Sequence, residues 1–169
     1  MDETLTPAQY DVLLRADFAG FAQRAFRELN PRAALAVNWH IEAIAAKLAR
    51  LREGLIRRLI VNLPPRHLKS LLASVAFPAW CLGHEPSAQI LCVSYAQGLA
   101  DKLARECRRI MTGDWYQRLF STRLSLQRRA VPEQDEIVLQ AKNLVDIRRG
   151  EGAEPGLLAA SLWRAHDIA

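Results

Sequence analysis

The chain has 169 residues, 50% of them hydrophobic and 24% charged, with a formal net charge of +5 and a pI of about 9.5. That length suits one domain able to bury a core, and the balance excludes an intrinsically disordered chain. Charge interrupts every apolar run before the roughly 18 residues of a membrane span, and the basic excess favours polyanionic partners such as DNA.

Met1-Asp2-Glu3 opens the chain without a basic and apolar leader, so a cytoplasmic and not a secreted protein is expected. A first helix is expected from Thr6 to Glu28. Thr6 suits the N-cap, Pro7 the first helical position, and Gln9 the far side of a capping box. Leu14, Phe18, Phe21 and Ala25 give it one apolar face, and Asn30-Pro31 ends it. A second helix is expected from Asn38 to Arg52, with Trp39, Ile44, Leu48 and Leu51 inward and Gly54 as the stop.

The texture changes at Arg57. Leu59-Ile60-Val61-Asn62-Leu63 reads as a buried parallel strand, which Pro64-Pro65 ends. A helix is expected to open near Lys69 and run through Leu71, Leu72, Val75 and Ala76, with a kink at Pro78. Gly83, Pro86 and Ser87 mark a loop, Gln89 to Ser94 a second buried strand, Gln97 to Met111 a long helix, and Asp114 to Phe120 a short aromatic helix. Strand, helix, strand and helix in this order predict an α/β fold, with a parallel sheet, right-handed crossovers and flanking helices.

Beyond Val131 the pattern weakens. Glu133 to Arg149 reads as a helix with Ile137, Val138, Ala141 and Leu144 on one side, Gly150 to Gly156 as a loop, and Leu157 to Ala169 as a short terminal helix. The chain thus divides into an N-terminal helical segment (1–56), an α/β core (57–130) and a divergent tail (131–169). Cys81, Cys92 and Cys107 lack metal-ligand spacing and read as reduced thiols.

The segment from Asn62 to Ser70 carries the chemistry. A strand runs into a tight loop, and Lys69-Ser70 opens a helix, the order of a phosphate-binding loop. In such a loop, backbone N–H groups and the positive helix end receive phosphates. The lysine adds a mobile charge, and the serine places its hydroxyl on magnesium. The general signature places glycine where Leu68 stands here. That departure matters, because glycine there lets the backbone approach the phosphates. The pattern alone leaves two readings open: an incomplete P-loop NTPase-like core, or a strand-turn-helix junction with a surface lysine and an N-terminal serine.

Pro64-Pro65-Arg66-His67-Leu68-Lys69-Ser70, then Phe77-Pro78-Ala79-Trp80 and Leu82-Gly83-His84-Glu85-Pro86, resembles the phage terminase large subunit family. The resemblance continues through Ile90 to Ala96, Leu99-Ala100, Arg105 and Asp114-Trp115-Tyr116 to Leu119-Phe120. It reaches back to Asn38-Trp39-His40-Ile41 and covers about residues 18 to 130. It implies an ATPase with ATP and Mg2+ as cofactors. Lys69 would meet the phosphates, Ser70 the magnesium, and Arg66 the γ-phosphate, so Arg66 and Lys69 are the implied catalytic pair. Pro65, His67 and Leu68 would line the loop, and Trp39 would lie near the base. Ser94 and Tyr95, at a strand's carboxyl end, are candidates for contact with the site or with DNA. The implied partners are double-stranded DNA and, in full-length relatives, the terminase small subunit and the portal protein, all within a bacterial host cell and without a membrane.

The family's acidic second strand, coupling motif and nuclease domain have no counterpart here; Val145-Asp146 follows only a weak apolar stretch. The match ends near Ala130, as either a reading frame altered at about Val131 in a prophage remnant or a genuinely divergent tail would produce. The expectation is therefore a packaging-ATPase fragment, inactive in hydrolysis alone. The alternative is a non-enzymatic degenerate remnant with weak, nonspecific DNA binding.

Overall fold

Asp17 divides the first expected helix in two. The computed structural model describes residues 6–122 and the backbone of 159–164. Helix α1 (Pro7–Ala16) begins with the expected capping box: Thr6 Oγ1 accepts from the Gln9 amide at 3.3 Å, and Gln9 Oε1 accepts from the Thr6 amide at 2.8 Å. Asp17 is then extended (φ −109°, ψ 113°), and its carboxylate accepts from the amides of Ala19 and Gly20. It thereby caps a new helix, α2 (Phe18–Leu29). The single helix expected from Thr6 to Glu28 is corrected accordingly.

Helix α3 (Trp39–Arg52) is capped by Asn38 and buries Ile41, Ile44, Ala45 and Leu48. Trp39, expected inward, is 74% exposed. It lies about 180° around the helix from Leu48, on the face opposite the core.

A helix does open at Lys69. From Leu71 to Ala76 it is π-helical, and it continues as α4 (Phe77–His84). The Phe77 amide bonds to the Leu72 carbonyl, five residues back. Pro78 lacks an amide hydrogen and its ring crowds the preceding turn, and the wider π turn accommodates it. The disturbance expected at Pro78 thus takes the form of a wider turn.

Strand β1 (Gln89–Ser94) is followed by α5 (Gln97–Thr112) and α6 (Asp114–Leu119). Among the described residues there is no parallel sheet. Leu59 to Leu63 joins no ladder, and β1 pairs antiparallel with β2 (Ala159–Arg164), Gln89 opposite Arg164 and Ser94 opposite Ala159. The α/β, P-loop NTPase-like parallel-sheet fold is corrected to a mainly helical one with one antiparallel ladder among the described residues. A short apolar run does not distinguish a buried strand from an extended segment laid across helices. Leu59, Val61 and Leu63 pack against the core while Ile60 is 94% exposed, which is the half-burial of the second case. The terminal helix expected over Leu157 to Ala169 gives way to β2 across 159–164; Glu133 to Arg149 and Gly150 to Gly156 lie outside the described residues.

One buried cluster joins α1, α2 and α3 to the helices that follow Lys69. Phe18 and Phe21 of α2 stand at its centre: Phe18 meets Trp80 at 5.2 Å, and Phe21 meets Tyr116 at 6.2 Å and Phe120 at 6.1 Å between ring centroids. Tyr116 donates its hydroxyl hydrogen to the Ala79 carbonyl at 2.8 Å, and Thr122 donates to the Leu82 carbonyl at 3.0 Å. These buried bonds fasten the segment after α5 to α4. No described helix is long and apolar enough to cross a membrane. The cysteines are free, with Cys107 buried and the other two half-buried. Burial pushes the Cys81 thiol up to about 12 and raises Cys107 as well, so neither supplies a thiolate near neutral pH.

Candidate phosphate-binding loop

The loop between Leu63 and the helix at Lys69 turns through two left-handed residues, Arg66 (φ 67°) and Leu68 (φ 58°), with His67 between them. A left-handed residue other than glycine costs about 1–2 kcal/mol. Holding two of them within three positions therefore requires support from the surroundings.

Lys69 supplies part of that support. Its ammonium donates to the carbonyl of Leu63 and, at 2.8 Å, to that of Pro64, folding the side chain back over the start of the loop. The Leu68 carbonyl accepts from the Leu72 amide at 2.9 Å and starts the helix. The turn over residues 65–66 draws the His67 amide toward the Pro64 carbonyl, and no described hydrogen bond engages the amides of Arg66, Leu68, Lys69 or Ser70. The last three are first-turn donors that a helix cannot satisfy internally, and the helix end adds partial positive charge beside them. Ser70 is exposed and makes no capping bond.

Leu68 occupies the position where the general signature has glycine. Its side chain is half-buried and packs against the hydrophobic cluster. Pro65 and Arg66 are exposed. His67 Nδ1 lies 2.9 Å from the Pro65 carbonyl. Because that oxygen only accepts, Nδ1 carries the hydrogen.

The same region gathers an aromatic group. The His67 ring meets His40 edge to face at 5.4 Å, and His40 meets Trp39 at 6.2 Å. Trp39, distant from the loop in sequence, is thus joined to it by one intervening ring. No described hydrogen bond or ring contact joins Ser94 or Tyr95 to the loop; Ser94 is half-buried and Tyr95 is 80% exposed. What sequence reasoning missed is the carbonyl pair at Leu63 and Pro64. No side-chain pattern announces backbone acceptors; the only sign was a lysine six residues after the first of them.

The residues fit a polyphosphate: unengaged amides, a lysine within reach, and the exposed guanidinium of Arg66. For Mg2+ they fit only through the Ser70 hydroxyl together with phosphate oxygens. No group of three or more His, Cys, Asp or Glu side chains among the described residues could hold a metal by itself. A shallow groove of about 270 Å³ between α1 and α2, lined by Tyr10, Leu13, Asp17, Gln23 and Arg27 among others, includes none of the loop residues. Comparison of the chain with protein families, curated proteins and solved structures finds no match.

Proposed function

We propose that the chain is the nucleotide-gripping N-terminal part of a phage terminase large subunit, and that it binds the phosphates of Mg-ATP through the loop from Pro65 to Ser70. The observation that carries this reading is the conformation of that loop. Arg66 and Leu68 are left-handed, the amides of Arg66, Leu68, Lys69 and Ser70 are unengaged among the described bonds, and Lys69 lies folded over its start. An arriving triphosphate offers Lys69 a charged partner in place of two carbonyls, and charge-assisted bonds are the stronger ones. Arg66 would meet the γ-phosphate, Ser70 the magnesium, and Trp39 the base. In the full-length protein this grip would serve DNA translocation, with double-stranded DNA, the small subunit and the portal as partners in the bacterial cytoplasm.

Turnover is not part of the proposal for this chain. Hydrolysis needs a carboxylate to orient the attacking water, and no second acidic strand stands among the motifs. Calorimetry with Mg-ATP on the whole chain and on Lys69→Ala is the test: binding that disappears in the variant is expected. Equal heats in both would discard the loop as the site.

A second reading rests on the net charge of +5 alone: a remnant that binds DNA through phosphate contacts without any effect of ATP. Salt-sensitive DNA retention in a chain that gives no nucleotide heat would favour it.

A further inference from the structure

The substitution of leucine for glycine ahead of the lysine admits two opposite consequences. A side chain beside the amides would obstruct an incoming phosphate. A side chain directed into the core would instead fasten the loop. Leu68 is half-buried and packs against the hydrophobic cluster, and its φ of 58° is maintained although a leucine disfavours that region. Left-handed backbone at a non-glycine residue persists only where the surroundings over-determine it.

We propose that Leu68 is a positioning residue that latches the phosphate loop: its side chain, seated on the core, holds the left-handed turn that glycine adopts elsewhere merely because it is permitted to. The inference rests on the phosphate-loop reading above and adds to it the means by which the loop is kept formed before a ligand arrives. Glycine at this position would gain backbone freedom and lose the anchor, so the loop would sample other conformations and spend less time in the competent one. Apparent affinity falls with the competent fraction. Lys69 closes the loop from the opposite side, through the carbonyls of Leu63 and Pro64. The turn is thus pinned by an apolar contact at one end and by an ammonium at the other. Leu68 touches no phosphate in this arrangement; it acts through the backbone it holds.

Two measurements on the full chain test the latch. Amide hydrogen exchange at Leu72, whose amide bonds to the Leu68 carbonyl, reads it without any ligand. Leu68→Gly is expected to speed exchange there at least severalfold while the other helices keep their protection, and Leu68→Met, which can still reach the core, is expected to restore the wild-type rate. Unchanged exchange in Leu68→Gly overturns the latch whether or not nucleotide binds. The second measurement is Mg-ATP affinity. The latch predicts weaker binding by Leu68→Gly, about threefold to tenfold, with recovery in Leu68→Met. Tighter binding by Leu68→Gly would mean that the leucine obstructs, and overturns the proposal. Absence of binding by the wild-type chain removes the phosphate-loop reading, and with it the role in affinity given to Leu68. The exchange result distinguishes that failure from failure of the latch.

Discussion

Trp80 and His84, one helical turn apart on α4, reach the same carbonyl oxygen, that of Arg15 near the end of α1, at 3.2 Å from Nε1 and 2.9 Å from Nε2. The carbonyl only accepts, so His84 donates from Nε2 and its ring is bound as a donor. Burial lowers the pKa of His84 below the ordinary histidine value, Arg52 and Arg15 add to the lowering, and the bond to the Arg15 carbonyl opposes them. Arg52 lies over the Trp80 ring at 4.7 Å. The folded state therefore prefers the neutral ring. Above the unfolded pKa of about 6.5 this preference has no pH dependence. As pH falls through that value toward the depressed folded one, the unfolded chain takes up the proton first and stability declines. Urea midpoints of the wild type and His84→Gln are expected to differ most above neutral pH, with the wild-type advantage shrinking as pH falls below about 6.5. A gap that stays constant across that range would contradict the assignment.

Gly83 admits a second test of the α4 contact. A β-carbon there would stand 2.6 Å from the Phe120 ring, far inside contact distance. Phe120 is itself buried and packs against Tyr116 and His84, so its ring has little space to retreat. Gly83→Ala is expected to lose about 1–3 kcal/mol by denaturant unfolding. Adding Phe120→Leu should recover part of that loss. A purely additive double variant would show that the ring is not what excludes the methyl group.

Tyr116 is fully buried and holds its hydroxyl against the Ala79 carbonyl. Burial pushes its ionisation well above the ordinary phenol range, so it remains a donor throughout the pH range in which the protein is handled. Tyr116→Phe keeps the ring packing and removes only the bond. The expected loss is about 1 kcal/mol, and Phe21, Trp115 and Phe120 should keep their ring contacts in the variant's structure. A loss near zero would mean that the hydroxyl contributes nothing beyond its own desolvation.

The parts legible in the sequence are those governed by local chemistry. The capping box at Thr6, the start of α3 after Asn38, the helix opening at Lys69 and the span of α5 each follow from a cap or a period confined to a few residues. The signal at Asp17 was present too, as an acidic residue three positions before Gly20, but the continuous apolar period of Leu14, Phe18 and Phe21 concealed the break. The sheet was not legible, because a strand is defined by its partner. Leu59 to Leu63 and Gln89 to Ser94 read alike along the chain, yet only the second joins a ladder, and its neighbour comes from residues 159–164 in the opposite direction. The loop residues were legible as a motif, and their backbone was not. Nothing in an arginine or a leucine predicts a positive φ, and neither the packing of Leu68 on the core nor the bonds of Lys69 to the carbonyls of Leu63 and Pro64 is written in the motif.

Trp39 offers a test that separates base from phosphates in the proposed nucleotide site. It is largely exposed, lies on the outer face of α3, and is joined to the loop through His40 and His67. An exposed tryptophan contributes little to folding, so Trp39→Ala should leave thermal unfolding nearly unchanged. If the base stacks on this ring, the variant loses about 1–3 kcal/mol of stacking, a weakening of ATP binding of about fivefold or more. Inorganic triphosphate has no base to lose, so its affinity should be the same in both proteins. Titrating each ligand into each protein gives four affinities, and the comparison is internal to them. An equal loss for ATP and triphosphate would mean that Trp39 acts on the loop through the histidines and not on the base. No loss for either would leave the ring outside the site, since an aromatic platform that a base occupies cannot be removed without weakening the ligand that carries the base.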